Sequence, residues 1–212
     1  MSNPLVNVYV DGFNLYYGSL KGSDNKWLNL QGVFEDLMPG FEIKRIRYFT
    51  ARVKARPDDP QAAVRQGAYL RALDTLPKVS VHLGQFAVTT TRMALADETV
   101  VPRTVEVIKT EEKGSDVNLA AHLLLDAFRD DADIYLVASN DSDLTEPLRM
   151  VREELNKHVG IAKTHARMSK SLLRCKPDFT RDIRDGLLRS NQFEDIITDD
   201  RGMKIHKPND WV

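Results

Sequence analysis

The chain has a single cysteine, Cys175, among its 212 residues. No intrachain disulfide is open to it, and no thiolate metal cluster. No stretch approaches the roughly 18 consecutive apolar residues of a membrane helix. The opening MSNPLVNVYV has no basic segment leading into a long apolar core, so no signal peptide is expected. These absences predict a protein of the reducing cytoplasm with no membrane span. No internal repeat and no low-complexity tract appears. Large net charge is missing too: the formal value is −1. Its distribution is uneven, however. Residues 42–92 hold ten basic and four acidic side chains, and residues 93–147 hold four basic and thirteen acidic ones. A basic block can guide a polyanion and an acidic block can hold a cation. The plainer alternative is two solvated faces.

What is present is an ordinary soluble composition, 42% hydrophobic and 29% charged, long enough for one domain with a sizeable core. Apolar β-prone runs occur at Leu5 to Val10, Ile43 to Thr50, Val79 to Leu83, Ile134 to Ala138 and Val159 to Ala162. Helical patterns fall between them. Residues 60–76 open with Pro60. Residues 115–130 place Val117, Leu119, Ala120, Leu123, Leu124, Ala127 and Phe128 on one face, with Ser115 as N-cap. Residues 142–157 tolerate Pro147 only in a first turn. Shorter helical turns are expected near 14–20, 29–37 and 169–174. Strands alternating with helices predict a five-stranded, mainly parallel sheet covered on both faces. Residues 84–110 break the alternation and read as a hairpin-like excursion with an acidic turn at Asp97 and Glu98. After residue 177 the pattern weakens. Residues 193–211 read as a short hairpin or as a tail docked by Trp211.

Three short segments carry chemistry. "VYVDGFNLYYG" ends a buried strand in Asp11 and Gly12, with Asn14 close behind. "YLVASNDSDL" ends another strand and offers Asp141 and Asp143. "EEKGSDVNLA" puts Asp116 in the first turn of a helix. Each acid has a structural explanation: a turn residue, an N-cap, a partner for the helix dipole. Topology shifts the balance. Ligand sites in open parallel sheets lie beyond the carboxyl ends of the strands, where strand order reverses. If the first and fourth runs are neighbours there, Asp11, Asp141 and Asp143 project from one edge, and Asp116 joins them provided its helix starts on that edge; the four carboxylates then share a small volume. Two carboxylates about 4 Å apart repel by roughly 4 kcal/mol at an effective dielectric near 20, so the crowding implies a cation. Hard oxygen donors suit Mg²⁺ or Mn²⁺.

These segments, in this order, resemble the NYN family, a branch of the PIN-like metal-dependent nucleases. The third match extends over "DIYLVASNDSDLTEPLRMVREELNKHVGIA". The resemblance implies a three-layer α/β/α domain over residues 1–180, followed by a short C-terminal extension, 181–212, packed on it. It implies Asp11, Asp116, Asp141 and Asp143 as catalytic and metal-binding residues, with Asn14 beside them. The implied activity is that of a Mg²⁺- or Mn²⁺-dependent endoribonuclease, cutting single-stranded or looped RNA by metal-activated water. Asn140 stands where the family usually has Gly. Asn tolerates positive φ, which would preserve the turn. Gly12 would let the chain turn sharply beside a ligand.

Other residues divide between roles. Lys113 is a phosphate contact or a solvated lysine. Ser139 is a ligand or, more simply, a cap. Arg52, Lys54 and Arg56, past the second strand, are candidates to line a backbone path. Tyr16 and Tyr17 stack on bases or pack on the sheet. The five histidines lack metal spacing and read as structural. RNA is the expected partner, with a second copy of the chain or another protein as further candidates. Two competing functions stay open: a catalytically silent nucleic-acid-binding or interaction module of the same fold, and an unrelated α/β phosphotransferase or phosphatase with an aspartyl-phosphate nucleophile. The latter commonly wants two acids near the first strand, and only Asp11 is there.

Overall fold

The computed structural model describes residues 3–55, 57–97 and 99–211. Arg56 and Glu98 therefore lie outside the described residues. A seven-stranded sheet of order β4-β3-β2-β1-β5-β6-β7 forms the middle layer. Its strands are β1 (Leu5–Asp11), β2 (Glu42–Ala51), β3 (Val79–Ala94), β4 (Thr104–Lys113), β5 (Ile134–Ala138), β6 (His158–Lys163) and β7 (Phe179–Asp182). All neighbours pair in parallel except β3 and β4. The five expected strands are present, and two edge strands extend the sheet. β3 does not stop at Leu83. It runs on past the sheet and pairs antiparallel with β4 from Gln85↔Lys113 to Ala94↔Thr104. This arm is the excursion that broke the alternation.

β1 sits between β2 and β5, which come from opposite halves of the chain. Strand alternation sends its side chains into two cores. Val6, Val8 and Val10 join one layer with Phe34 of α2 (Leu30–Leu37) and Leu73 of α3 (Ala62–Asp74). Tyr9 joins the other, with Leu119 and Leu123 of α4 (Ser115–Phe128) and Leu148 of α5 (Thr145–Glu153). β5 divides likewise, Leu136 to the first and Tyr135 and Val137 to the second. Both faces of the central strands are thereby covered, which is why they read as unbroken apolar runs.

Several expectations need correcting. Val117 and Phe128 of α4 are 71% and 76% exposed, so its buried stripe is Leu119, Leu123 and Ala127. Ser115 is the first residue of α4, and Gly114 takes the N-cap position at φ 96°. The 142–157 pattern splits into a 3₁₀ turn (Ser142–Leu144) and α5, with Pro147 in the first turn of α5. A short helix α1 (Gly12–Leu15) and a π-helical turn (Tyr16–Leu20) follow β1 directly.

The C-terminal stretch does two things at once. It forms a hairpin of β8 (Ile196–Thr198) and β9 (Lys204–His206), and it packs Trp211 against Trp27 and Tyr69 at 6.2 and 5.9 Å between ring centres. β7 runs across residue 180, and Leu188 of α6 (Asp185–Ser190), Phe193 and Ile205 belong to the first core. Among the described residues no helix is long and apolar enough to cross a membrane.

Three of the ten cations of the basic block are tied to acids of the acidic block. Arg47 pairs with the buried Asp126 at 2.8 Å, Lys44 with Asp131 at 2.7 Å and Arg45 with Asp131 at 3.1 Å. Asp126 also accepts the Tyr9 hydroxyl at 2.9 Å. These three cations neutralise part of the acidic block at the opposite edge of the sheet and are not available to guide a polyanion.

Candidate metal centre

Because β1 and β5 lie side by side and run parallel, their last residues face one another across the same edge. Val10 pairs with Ala138, so Asp11 and Ser139 come next on adjacent strands. Asp11 is 5% exposed. Its Oδ1 accepts the Asn14 N–H at 2.9 Å, capping α1, and its Oδ2 accepts the Ser139 hydroxyl at 3.0 Å. Burial raises its pKa above the ordinary carboxylate value; the Asn14 N–H and Ser139 hydroxyl oppose that shift, and the Asp141 charge adds to it.

The antiparallel return of β4 brings α4 back to this edge. Asp116, in its first turn, joins Asp11 and Asp141, and oxygens of the three carboxylates lie within 4.8 Å of one another. Burial pushes Asp116 up to about 6, and the charges of Asp11, Asp141, Glu112 and Asp143 add to it in that order. Among the described residues no lysine or arginine lines the cavity over these acids, and three converging carboxylates are the donor set that Mg²⁺ or Mn²⁺ prefers. The cluster fits a divalent cation.

Asp143 is not in the trio. Asp141 caps the 3₁₀ turn by accepting the Asp143 N–H at 2.9 Å, which leaves the Asp143 side chain exposed one turn away. Ser139 is fully buried, and its hydroxyl also accepts the Asp141 N–H at 3.0 Å. Its two bonds hold the acids, so it faces carboxylates and not a substrate. Asn14 uses its side-chain oxygen to accept the Asn140 N–H at 2.9 Å and the Thr164 hydroxyl at 3.1 Å, tying together the ends of β1, β5 and β6. Asn140 does not take positive φ. Its amide instead donates to the Arg167 carbonyl and accepts the Ser169 N–H at 2.6 Å, bracing the neighbouring loop. Gly12 also has ordinary φ. It is required because a Cβ there would fall 2.6 Å from the Tyr48 ring and 2.8 Å from the Phe49 carbonyl oxygen.

Lys113 is exposed and pairs with Glu111 at 3.2 Å, outside the lining of the cavity. Arg52 and Lys54 follow the end of β2 at this edge, exposed and in no ion pair among the described residues. The cavity over the carboxylates, about 270 Å³, is also lined by Phe13, Tyr17, Phe86, Ser115 and Glu112. Phe86 stands at the root of the arm, edge-on to Phe13 at 5.9 Å. Glu112 went unnoticed in the sequence. It lies in an acidic, strand-like run, and only the return of β4 brings it to the site, where it accepts the Ser115 N–H at 3.1 Å.

The NYN domain family model matches residues 5–184. The chain belongs to the NYN domain family. NYN domains are generally nucleases that bind RNA. A curated relative from Pseudomonas putida, named 6-hydroxy-3-succinoylpyridine 3-monooxygenase, is 31% identical over 188 residues, covering 76% of this chain and 60% of that protein. The chain thus spans about three-fifths of that relative. A crystal structure of a Vibrio parahaemolyticus protein of unknown function matches 86% of this chain and 94% of that one, with a TM-score of 0.54 at 16% identity. At that identity it supports the fold alone.

Proposed function

We propose that the protein is a divalent-metal-dependent ribonuclease that hydrolyses phosphodiester bonds in single-stranded or looped RNA. The observation that carries this is the convergence of Asp11, Asp116 and Asp141 in a cavity whose lining, among the described residues, includes no lysine or arginine. Mg²⁺ or Mn²⁺ bound there supplies Lewis acidity for activating water and for stabilising the leaving oxygen. The chain's own residues do the rest. Asn14 and Ser139 fix the rotamer of Asp11, and Ser139 also fixes the backbone that presents Asp141. Asp143, exposed beside the trio, orients water or substrate from outside it. Arg52 and Lys54 contact phosphates along the strand.

The cavity lies at the end of a sheet with the β3–β4 arm at its side. A flexible strand can dip into it, whereas a duplex presents its phosphates on a stiff cylinder. The test is a hairpin RNA, its fully paired duplex and the matching DNA hairpin, each incubated with Mn²⁺. Cleavage confined to the RNA loop supports the reading, and cutting of the duplex stem overturns the crevice argument. Equal cutting of both loops removes the preference for RNA.

The relative's name favours a second reading, in which the ligand is a small hydroxylated pyridine acid. Incubating such an acid with the chain, dioxygen and a hydride donor tests it. A product one oxygen heavier supports this reading over the first.

A further inference from the structure

Phe13 and Tyr17 line the carboxylate cavity on one side and a second, largely apolar cavity of about 120 Å³ on the other. Two nearly buried rings, Tyr48 and Tyr69, lie edge-on to one another at 6.3 Å, and Trp211 packs on Tyr69 to close the far wall. An apolar cavity of roughly 150 Å³ takes up benzene. The space therefore suits one six-membered ring and not a fused pair.

Several polar groups of this cavity are already engaged. Arg65 is held by Asp59 and Asp210 at 2.5 and 3.0 Å. Gln66 donates to the Ala51 carbonyl and accepts the Val53 N–H. Lys26 is half-buried in the lining and pairs with no carboxylate among the described residues. The lining carboxylate, Asp59, is taken by Arg65, so a half-buried ammonium beside these rings suits an anion supplied by the ligand.

We propose that this cavity seats the single ring of a pyrimidine nucleotide adjoining the phosphate at Asp11, Asp116 and Asp141, with Lys26 facing its anionic group. This rests on the ribonuclease reading above. Phe13 and the 53% exposed Tyr17 are shared by the two cavities, so a strand laid over the carboxylates reaches the second past them; the Lys21 ammonium lies 5.0 Å over the Tyr17 ring, leaving its other face for a passing base. The chemistry recognised is a flat nitrogen heterocycle bearing an anion. A hydroxypyridine acid shares it, so both sources are tested.

The full chain is titrated in EDTA with uridine 3′-monophosphate, adenosine 3′-monophosphate, a hydroxypyridine carboxylate and inorganic phosphate, following tryptophan fluorescence. Uridine 3′-monophosphate should quench Trp211, and Trp211→Phe should remove that signal. Its affinity should be at least about tenfold above those of the other three ligands. Lys26→Gln should weaken it about tenfold or more, in line with a lost hydrogen bond to a charged group. Ala62→Phe, which fills the cavity, should abolish binding with circular dichroism unchanged. Equal affinity for the purine, tighter binding of the pyridine acid, or indifference to Lys26→Gln would overturn the assignment. Binding in EDTA reports on the cavity alone, and Mn²⁺-dependent cleavage reports on the carboxylates alone. Cleavage with no pyrimidine preference sinks the cavity assignment, and pyrimidine binding with no cleavage sinks the nuclease reading.

Discussion

Ser139 donates its hydroxyl to Asp11 Oδ2 at 3.0 Å and accepts the Asp141 N–H through the same oxygen, so one buried side chain sets the spacing of two carboxylates. Removing it leaves both acids in place but unaimed. Ser139→Ala should lower Mn²⁺ affinity and RNA cleavage by about 10- to 100-fold, the range for groups that orient metal ligands. Metal titration and initial rates check this. A variant as active as the parent would show that Asp11 needs no orientation.

Apposed carboxylates repel until an ion joins them. An ion that binds only the native state adds about 2.7 kcal/mol at a hundredfold excess over Kd. Thermal denaturation with millimolar Mn²⁺ should therefore show a rise in Tm that Asp141→Asn abolishes. The same rise in the variant would place the ion elsewhere.

The raised pKa of Asp116, about 6 against an ordinary 3.8, has a defined sign. The native chain keeps a proton that the unfolded chain releases. The stability due to this group is complete below about 3.8 and is lost as pH rises through about 6. Asp116→Asn cannot ionise. It should stabilise the metal-free protein at pH 8 by about 1 kcal/mol after allowing for half-exposure, or roughly 2–4 °C in Tm. The gain should fade towards pH 4. Melting curves across that range decide it, and a gain independent of pH would trace to packing.

Arg52 and Lys54 are in no ion pair among the described residues, whereas Lys44, Arg45 and Arg47 are tied to Asp126 and Asp131. Neutralising Arg52 and Lys54 together should flatten the salt dependence of RNA binding by about 0.7 in log–log slope per lost contact. An unchanged slope would make them ordinary solvated residues.

Strand runs such as Val8 to Val10 and Ile134 to Ala138 were legible because both faces of a central parallel strand are apolar. Asp11 and Asp141 were legible because they interrupt such runs. β7 was not: half of its four residues, Thr180 and Asp182, are exposed at the sheet edge, so it carries no apolar run. Val117 and Phe128 misled because periodicity marks an apolar face without saying where the partner strands end. The accepting role of Ser139 and the arrival of Glu112 both depend on strand order, which local pattern does not encode. Lys44, Arg45 and Arg47 of the basic block likewise turned out to serve the acidic block.

The β3–β4 arm leaves and rejoins the sheet at nearly one point. A Cβ on Gly84 would fall 2.7 Å from the Lys113 carbonyl oxygen, and one on Gly114 would lie 4.0 Å from the Gly84 Cα. Everything between them is a detachable cassette, rising about 33 Å if straight over its ten paired positions. Its length can drift while β1, β2, β5 and α4 stay fixed, because no central strand passes through it. The same carboxylate floor can then be refitted with a taller or shorter fence, and under the proposed function each refit would change which strands gain entry without altering the carboxylates beneath.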